Sequence, residues 1–363
     1  MHIIKDARMI MERTHGIGRY ILETLRVWME EGISHRVTLL TNDKSLLKGH
    51  GLLEAYSAVA VKSRPFAPTE LFEIPKVLEE TGGDLYHATS ISVPPYNVMP
   101  TVITVPDLTP LHSGSPIHKL YCKTVLLKGL HYARRVITIS RFVRDDVMKT
   151  YGTPEEKIRV THLASTPAPG GPAPFEETAE KLGITGPYLF WVGNPKPHKN
   201  MAGLIRIYNR IREKYRSPLQ LVMVSRPSDE MKGLIESSPH RDEILSIDYL
   251  EHRQLDTLYA NAEVFLFPSY HEGFGLPPLE AMHYRCPVVS SDRTSLPEVV
   301  GEGGILTDPD QVDEFAGEVA RLLTDRSHRE EWASRAEKWE KQFTWSRCAG
   351  EILEVYNEAV NSQ

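Results

Sequence analysis

Two doubly wound α/β units joined by a Pro- and Gly-rich segment are the fold that this sequence predicts. Three observations carry the prediction. The chain has 363 residues, longer than most single domains. Short apolar, strand-like runs alternate with helix-like segments along almost all of it, the pattern of parallel sheets covered on both faces. That rhythm breaks once, at Thr166-Pro167-Ala168-Pro169-Gly170-Gly171-Pro172-Ala173-Pro174, where so much Pro and Gly predicts a linker.

Each element follows from a local pattern. Ile3-Ile4 opens the first strand. A helix over 18–31 puts Ile21, Leu25 and Trp28 on one face and stops at Gly32. Residues 36–40, 101–105 and 136–139 read as strands, and Ser140 caps a helix over 141–150. Beyond the linker, strands are expected at 188–192, 221–224, 264–268 and 287–290. Asn200 caps a helix holding Leu204, Ile207 and Ile211. In such an architecture ligands sit at the C-terminal ends of strands, here in a cleft between the two units.

Composition narrows the class. At 41% hydrophobic and 25% charged, the chain is neither disordered nor fibrous. Cys122, Cys286 and Cys348 form no CxxC pair, which favours a reducing compartment over structural zinc. The first residues run straight into a strand containing Lys5, Asp6 and Arg8, so no signal peptide is expected, and no apolar run is long enough to span a bilayer. The expected location is the cytoplasm. Net charge is −6 but uneven: +4 over residues 1–165 and −10 over 166–363. Residues 115–144 hold Lys119, Lys123, Lys128, Arg134, Arg135, Arg141 and Arg144 with no acidic residue. Such a stretch is either a solvated surface or a patch attracted to an anionic membrane or a phosphorylated acceptor. Nucleic acid is not expected, because interleaved aromatics for base stacking are missing.

Three loops carry chemistry. Glu272-Gly273-Phe274-Gly275-Leu276-Pro277-Pro278-Leu279-Glu280 joins a buried strand to a helix. The prolines suit a first helical turn, where a missing N–H costs little. A helix N-terminus flanked by two carboxylates suits a ligand bearing both phosphates and hydroxyls, such as a nucleotide sugar. Taken alone, Glu272 and Glu280 read equally well as capping and solvated acids. Gly193-Asn194-Pro195-Lys196-Pro197-His198-Lys199-Asn200 follows another buried strand, so its lysines lie near a helix N-terminus and suit a diphosphate leaving group. His15-Gly16-Ile17-Gly18-Arg19-Tyr20 lacks the third glycine of a dinucleotide fingerprint. His87, His112, His118 and His271 are scattered, with no metal-binding spacing.

With these segments in place, the chain resembles the retaining glycosyltransferases of family 4, of the two-domain GT-B fold. The likeness runs from Asp6-Ala7-Arg8-Met9 and the Gly16 to Tyr20 turn through Asp107-Leu108-Thr109-Pro110-Leu111 and Ile139-Ser140-Arg141-Phe142. It continues through Val192 to Asn200, Phe267 to Met282 and Ser295-Leu296-Pro297-Glu298-Val299. Phe343-Thr344-Trp345-Ser346 resembles the family's late crossing back to the first domain. The resemblance thus implies a first, acceptor-side domain of residues 1–166 plus 346–363, a linker at 167–174 and a donor domain at 175–345.

The resemblance also implies roles. Glu272 and the amides of Gly273, Phe274 and Gly275, with Leu276, would meet the donor sugar. Glu280 would bind the ribose and Lys199 the diphosphate, which Gly16, Gly18 and Gly193 would approach closely. No metal or other cofactor is implied, the nucleotide sugar being a co-substrate. Two positions depart from the family: Asn194 stands where arginine is common, leaving Lys196 as second cation, and Pro106 stands where a histidine precedes Asp107. Asp107 or His112 would stand in for that histidine, with His87 also on the acceptor side. The expected activity is retaining transfer of a hexose, with a lean to GDP-mannose, onto a glycan or lipid-linked hydroxyl at the inner face of a bacterial membrane. An epimerase or hydrolase on the same fold, or a non-catalytic sugar-nucleotide sensor, are the alternatives.

Overall fold

The computed structural model describes residues 1–12, 16–112 and 114–361. It divides into two compact units, residues 1–163 with 344–363 and residues 164–343.

The first unit holds seven strands: β1 His2–Asp6, β2 Arg36–Thr41, β3 Ser57–Ala60, β4 Leu85–Ala88, β5 Thr101–Val105, β6 Arg135–Thr138 and β7 Ile158–Val160. All pair in parallel, in the order β3-β2-β1-β4-β5-β6-β7. Every residue of β4 and β5 is buried, as a strand covered on both faces requires. The second unit holds β8 Tyr188–Val192, β9 Gln220–Val224, β10 Ile244–Ile247, β11 Val264–Phe267, β12 Val288–Ser291 and β13 Ile305–Thr307. These too are parallel, in the order β10-β9-β8-β11-β12-β13. The α/β class and the doubly wound pattern of each unit match the expectation. Five strands escaped the sequence reading: β3, β4, β7, β10 and β13, none longer than four residues.

Strand order reverses between β1 and β4 in the first sheet and between β8 and β11 in the second. At such a reversal the connecting helices leave on opposite faces, so the loops after the two central strands diverge and open a crevice. In the second unit those are the loops after β8 and β11.

Side-chain contacts fix two helices of the first unit. Ser140 accepts from Val143 N at the start of helix Arg141–Tyr151, which Gly152 ends with φ 65°. The helix Trp345–Asn361 closes the chain on the first unit, burying Cys348, Ala349, Ile352, Val355 and Tyr356. Trp28 Nε1 donates to Ala349 O at 3.1 Å, and Glu358 pairs with Arg135 and Arg159 at 2.8 and 2.9 Å.

The Pro-Gly segment is tied down along part of its length. Ala168 N donates to Asp256 Oδ2, Arg253 Nε to Gly171 O and Thr257 Oγ1 to Ala173 O, at 2.7, 2.9 and 2.8 Å. Helix His252–Asn261 thereby fastens this segment to the second unit.

Candidate functional site

In the second unit the loops after β8 and β11 meet through an ion pair. Lys199 Nζ lies 2.7 and 2.8 Å from the two carboxylate oxygens of Glu272. The side chains are only 14% and 11% exposed, so solvent screens the pair less than it would at an open surface. Phe267, the last residue of β11, puts its ring 5.4 Å from the same ammonium. The geometry is set from below by β8 and β11, neighbours in register at Leu189 with Val264 and Phe190 with Phe265.

Asn200 binds the loops together from the other side. It takes a left-handed conformation (φ 54°, ψ 50°), caps helix Met201–Lys214 by accepting from Gly203 N, and donates its amide to Pro268 O at 3.0 Å. A Cβ on Gly203 would come within 2.3 Å of the Asn200 side chain, so the cap needs a glycine there. Tyr270 N donates to His198 O at 2.8 Å, a further tie.

The glutamate loop is held by hydroxyls from the segment after β12. Glu272 N donates to Thr294 Oγ1 at 3.0 Å, while Ser295 Oγ is shared between Glu272 O and Phe274 O. Gly275 has φ 122°, and a Cβ there would lie 2.9 Å from Leu296. Phe274 is buried, edge-on to Phe343 at 6.0 Å. Leu276 begins helix Leu276–His283, whose Pro277 and Pro278 occupy the first turn as expected. Glu280 lies one turn further in, buried, and accepts from Tyr259 OH at 2.8 Å.

Around this pair, Gly193 N donates to Val224 O at 3.1 Å, and a Cβ there would lie 3.0 Å from the Trp191 ring. Asn194 and Lys196 are exposed. His198 and His271 stand with ring centroids 6.5 Å apart. Burial, then the neighbouring Lys199 charge, lowers the proton affinity of His198. The histidines and the Asn200 tether were not named as site residues from sequence. Their signal was position alone, directly beside Lys199 and Glu272.

In the first unit Gly16 and Gly18 open helix Gly16–Glu30; His15 lies outside the described residues. Asp107 accepts from Thr109 N at 2.7 Å, just ahead of the short helix Thr109–His112. His112 is exposed and lies 3.1 Å from Asp146 Oδ2.

His87 requires a correction. It is fully buried, with Nδ1 2.5 Å from Tyr356 OH and Nε2 2.7 Å from Thr104 Oγ1. Both ring nitrogens are taken inside the core, and burial drives its proton affinity far down. It therefore cannot reach an acceptor. The basic stretch also resolves into parts: Arg135 is bound to Glu358 and Arg144 to Asp145 and Glu155. Beside Lys119, Lys123 and Lys128, by contrast, Ile117, Leu120 and Leu127 are 76%, 62% and 43% exposed. Among the described residues no cluster of three metal-ligating side chains occurs, and no helix is long and apolar enough to cross a membrane.

Comparison with known proteins matches both units. Residues 14–164 match the family model Glycosyltransferase Family 4, and residues 174–339 match Glycosyl transferases group 1. O-antigen chain mannosyltransferase B of Escherichia coli is 33% identical over 65% of this chain and 64% of its own length. The O-antigen chain mannosyltransferase RfbU of Salmonella typhimurium is 29% identical over 57% of this chain and 56% of its own. The matched stretches thus span less than two thirds of either relative. Among solved structures, Anabaena Alr3699/HepE in complex with UDP-glucose superposes with a TM-score of 0.75 at 17% identity, covering 98% of this chain and 99% of that one.

Proposed function

Because this chain belongs, through both of its halves, to the family 4 glycosyltransferases of the GT-B fold, we propose that it moves a sugar from a nucleotide diphosphate sugar to a hydroxyl of a glycan or lipid-linked acceptor in bacterial polysaccharide assembly. The observation that carries this reading is the Lys199–Glu272 pair at the strand-order reversal of the second unit. A cation beside a carboxylate, next to a helix N-terminus, suits the two ends of such a donor: diphosphate and sugar hydroxyls.

The roles follow from charge. Lys199, with Lys196, meets the diphosphate, and its attraction strengthens as charge develops on the leaving oxygen. Glu272 and the amides of Gly273, Phe274 and Gly275 orient the sugar, while Glu280, steadied by Tyr259, accepts from the ribose. Gly16, Gly18 and Gly193 keep the backbone open to phosphate, and Asp107 and His112 serve the acceptor. Attack by the acceptor oxygen on the face that the diphosphate leaves forms the new C1–O bond as the old one breaks. The acceptor proton passes to the departing phosphate oxygen, giving retention with no protein base. Two lysines supply the positive charge, so no metal or other cofactor is assigned.

Mannose is the proposed sugar, after the mannosyltransferase relatives, with GDP-mannose as donor. The setting is the inner face of the membrane, touched through the exposed Ile117, Leu120 and Leu127 and the nearby Lys119, Lys123 and Lys128. Mass spectrometry of incubations with a panel of nucleotide sugars, with and without acceptor glycan, separates the reaction classes. Transfer is expected only with acceptor present. Consumption to an epimer or free sugar would replace it with an epimerase or hydrolase, and binding without turnover with a sensor. NMR of the product tests stereochemistry, and an inverted anomeric centre would rule out the same-face route.

A further inference from the structure

Asp6 and Asp107 lie at or just beyond the C-terminal ends of β1 and β5. The other ends of this first sheet carry a separate concentration of charge. A cavity of about 620 Å3 opens at the N-terminal ends of β5, β6 and β7. Arg134 and Arg135 line it where the chain enters β6, and Lys157 and Arg159 where it enters β7, with Asn97 and Tyr132 adding polar and aromatic wall.

The positive charge here is under-compensated. Glu358 is the shared counter-ion of Arg135 and Arg159, so one carboxylate answers two guanidinium groups. Glu156 also lines the cavity but is exposed. Lys157 pairs with no carboxylate among the described residues: its Nζ donates to Leu130 O and His131 O at 2.8 and 2.7 Å. Burial lowers the proton affinity of Lys157, and repulsion from Arg135 and Arg134 lowers it further. Arg134 forms no ion pair among the described residues. Among the described residues, four cations therefore face two carboxylates around a space of ligand size. A multiply charged anion would relieve their repulsion, and guanidinium forks match phosphate oxygens in pairs.

We propose that this cavity binds a phosphoryl group, carried by a soluble phosphate ester or by a phospholipid headgroup, with Arg134 and Lys157 as its main contacts. The site is separate from the Lys199 loop and does not depend on the transferase reading.

Titration calorimetry with inorganic phosphate and with glucose 6-phosphate tests the soluble source. Sedimentation with phosphatidic acid vesicles, against neutral phosphatidylcholine, tests the lipid source. Arg134→Gln removes a guanidinium with no ion-pair partner among the described residues, so the fold should survive. It is expected to weaken phosphate or vesicle binding about tenfold or more, and Lys157→Met to do likewise. Lys199→Met should keep the phosphate response, because that lysine is not part of the cavity wall. Loss confined to the vesicle arm assigns the headgroup, and loss in the soluble arm the ester. Equal binding by native protein and Arg134→Gln in every arm, or no binding by the native protein, would overturn the proposal.

Discussion

Replacing Glu272 with glutamine should make the protein bind a free nucleoside diphosphate more tightly while it transfers sugar more slowly. In the structure Lys199 is committed to Glu272 at 2.7 and 2.8 Å, so an arriving diphosphate must either take the ammonium from that carboxylate or share it beside a like charge. Both cost binding energy. Glutamine keeps the length and an acceptor oxygen but removes the charge. A hydrogen bond involving a charged group contributes about 1.5–3 kcal/mol. With the pair slightly open to solvent and an amide oxygen left for Nζ, the low end applies. About 1.4 kcal/mol is a tenfold gain in affinity. Transfer should move the other way, because a carboxylate accepts more strongly from sugar hydroxyls than an amide does, and kcat/KM is expected to fall about 10- to 100-fold. Calorimetric titration with GDP and UDP, alongside initial rates, reads both effects. Unchanged or weaker diphosphate binding in Glu272→Gln would show that the pair does not compete with the donor, and would remove Lys199 from the diphosphate.

Other outcomes follow from single contacts. Lys199→Met should lower kcat and kcat/KM together by about 100-fold, since its contact is strongest as the bond breaks; normal turnover in initial-rate assays would refute this. Glu280→Ala should mainly raise donor KM through loss of the ribose contact, and an unchanged KM with reduced kcat would assign it elsewhere. Lys5 is fully buried, 4.5 Å from the Trp28 ring, and burial lowers its pKa from 10.5 to about 7. The unfolded chain therefore holds the extra proton between those values, so the penalty is full below about pH 7, fades as pH rises and is gone above about 10.5. Lys5→Met should stabilise the protein near pH 6 by at most on the order of 5 kcal/mol, with little gain near pH 10.5. Urea unfolding at the two pH values measures this, and an equal effect at both would refute it. Ile117→Ser with Leu120→Ser should reduce sedimentation with phosphatidylglycerol vesicles several-fold, and undiminished binding would move the membrane contact elsewhere.

The sequence was most legible where burial is two-sided and sustained. Thr101 to Val105 and Val264 to Phe267 are apolar or β-branched throughout, and both are strands with every residue buried. Ser57 to Ala60 and Ile305 to Thr307 are too short and mixed to show a period, and they depend on pairing with β2 and β12. The two prolines after Leu276 announced their helix because its first turn needs no N–H from them. Lys199 and Glu272 were found one loop at a time. Their contact depends on β8 and β11 being neighbours, and sequence order hides that adjacency. His87 misled for a related reason: the Tyr356 hydroxyl that buries it arrives 269 residues later, on the last helix. The Pro-Gly segment reads as a linker, and its anchors Arg253 and Asp256 are not visible from its own sequence because they belong to a distant helix.

Transfer from a nucleotide sugar is tested most directly by a single-turnover experiment, with enzyme in excess over GDP-mannose labelled in the sugar and with acceptor glycan present. One nucleoside diphosphate released for each labelled sugar joined to the acceptor is expected, with both products lost together in Lys199→Met. Nucleotide released without sugar on the acceptor, or donor left intact by native protein with this and every other nucleotide sugar offered, would contradict glycosyl transfer at this site.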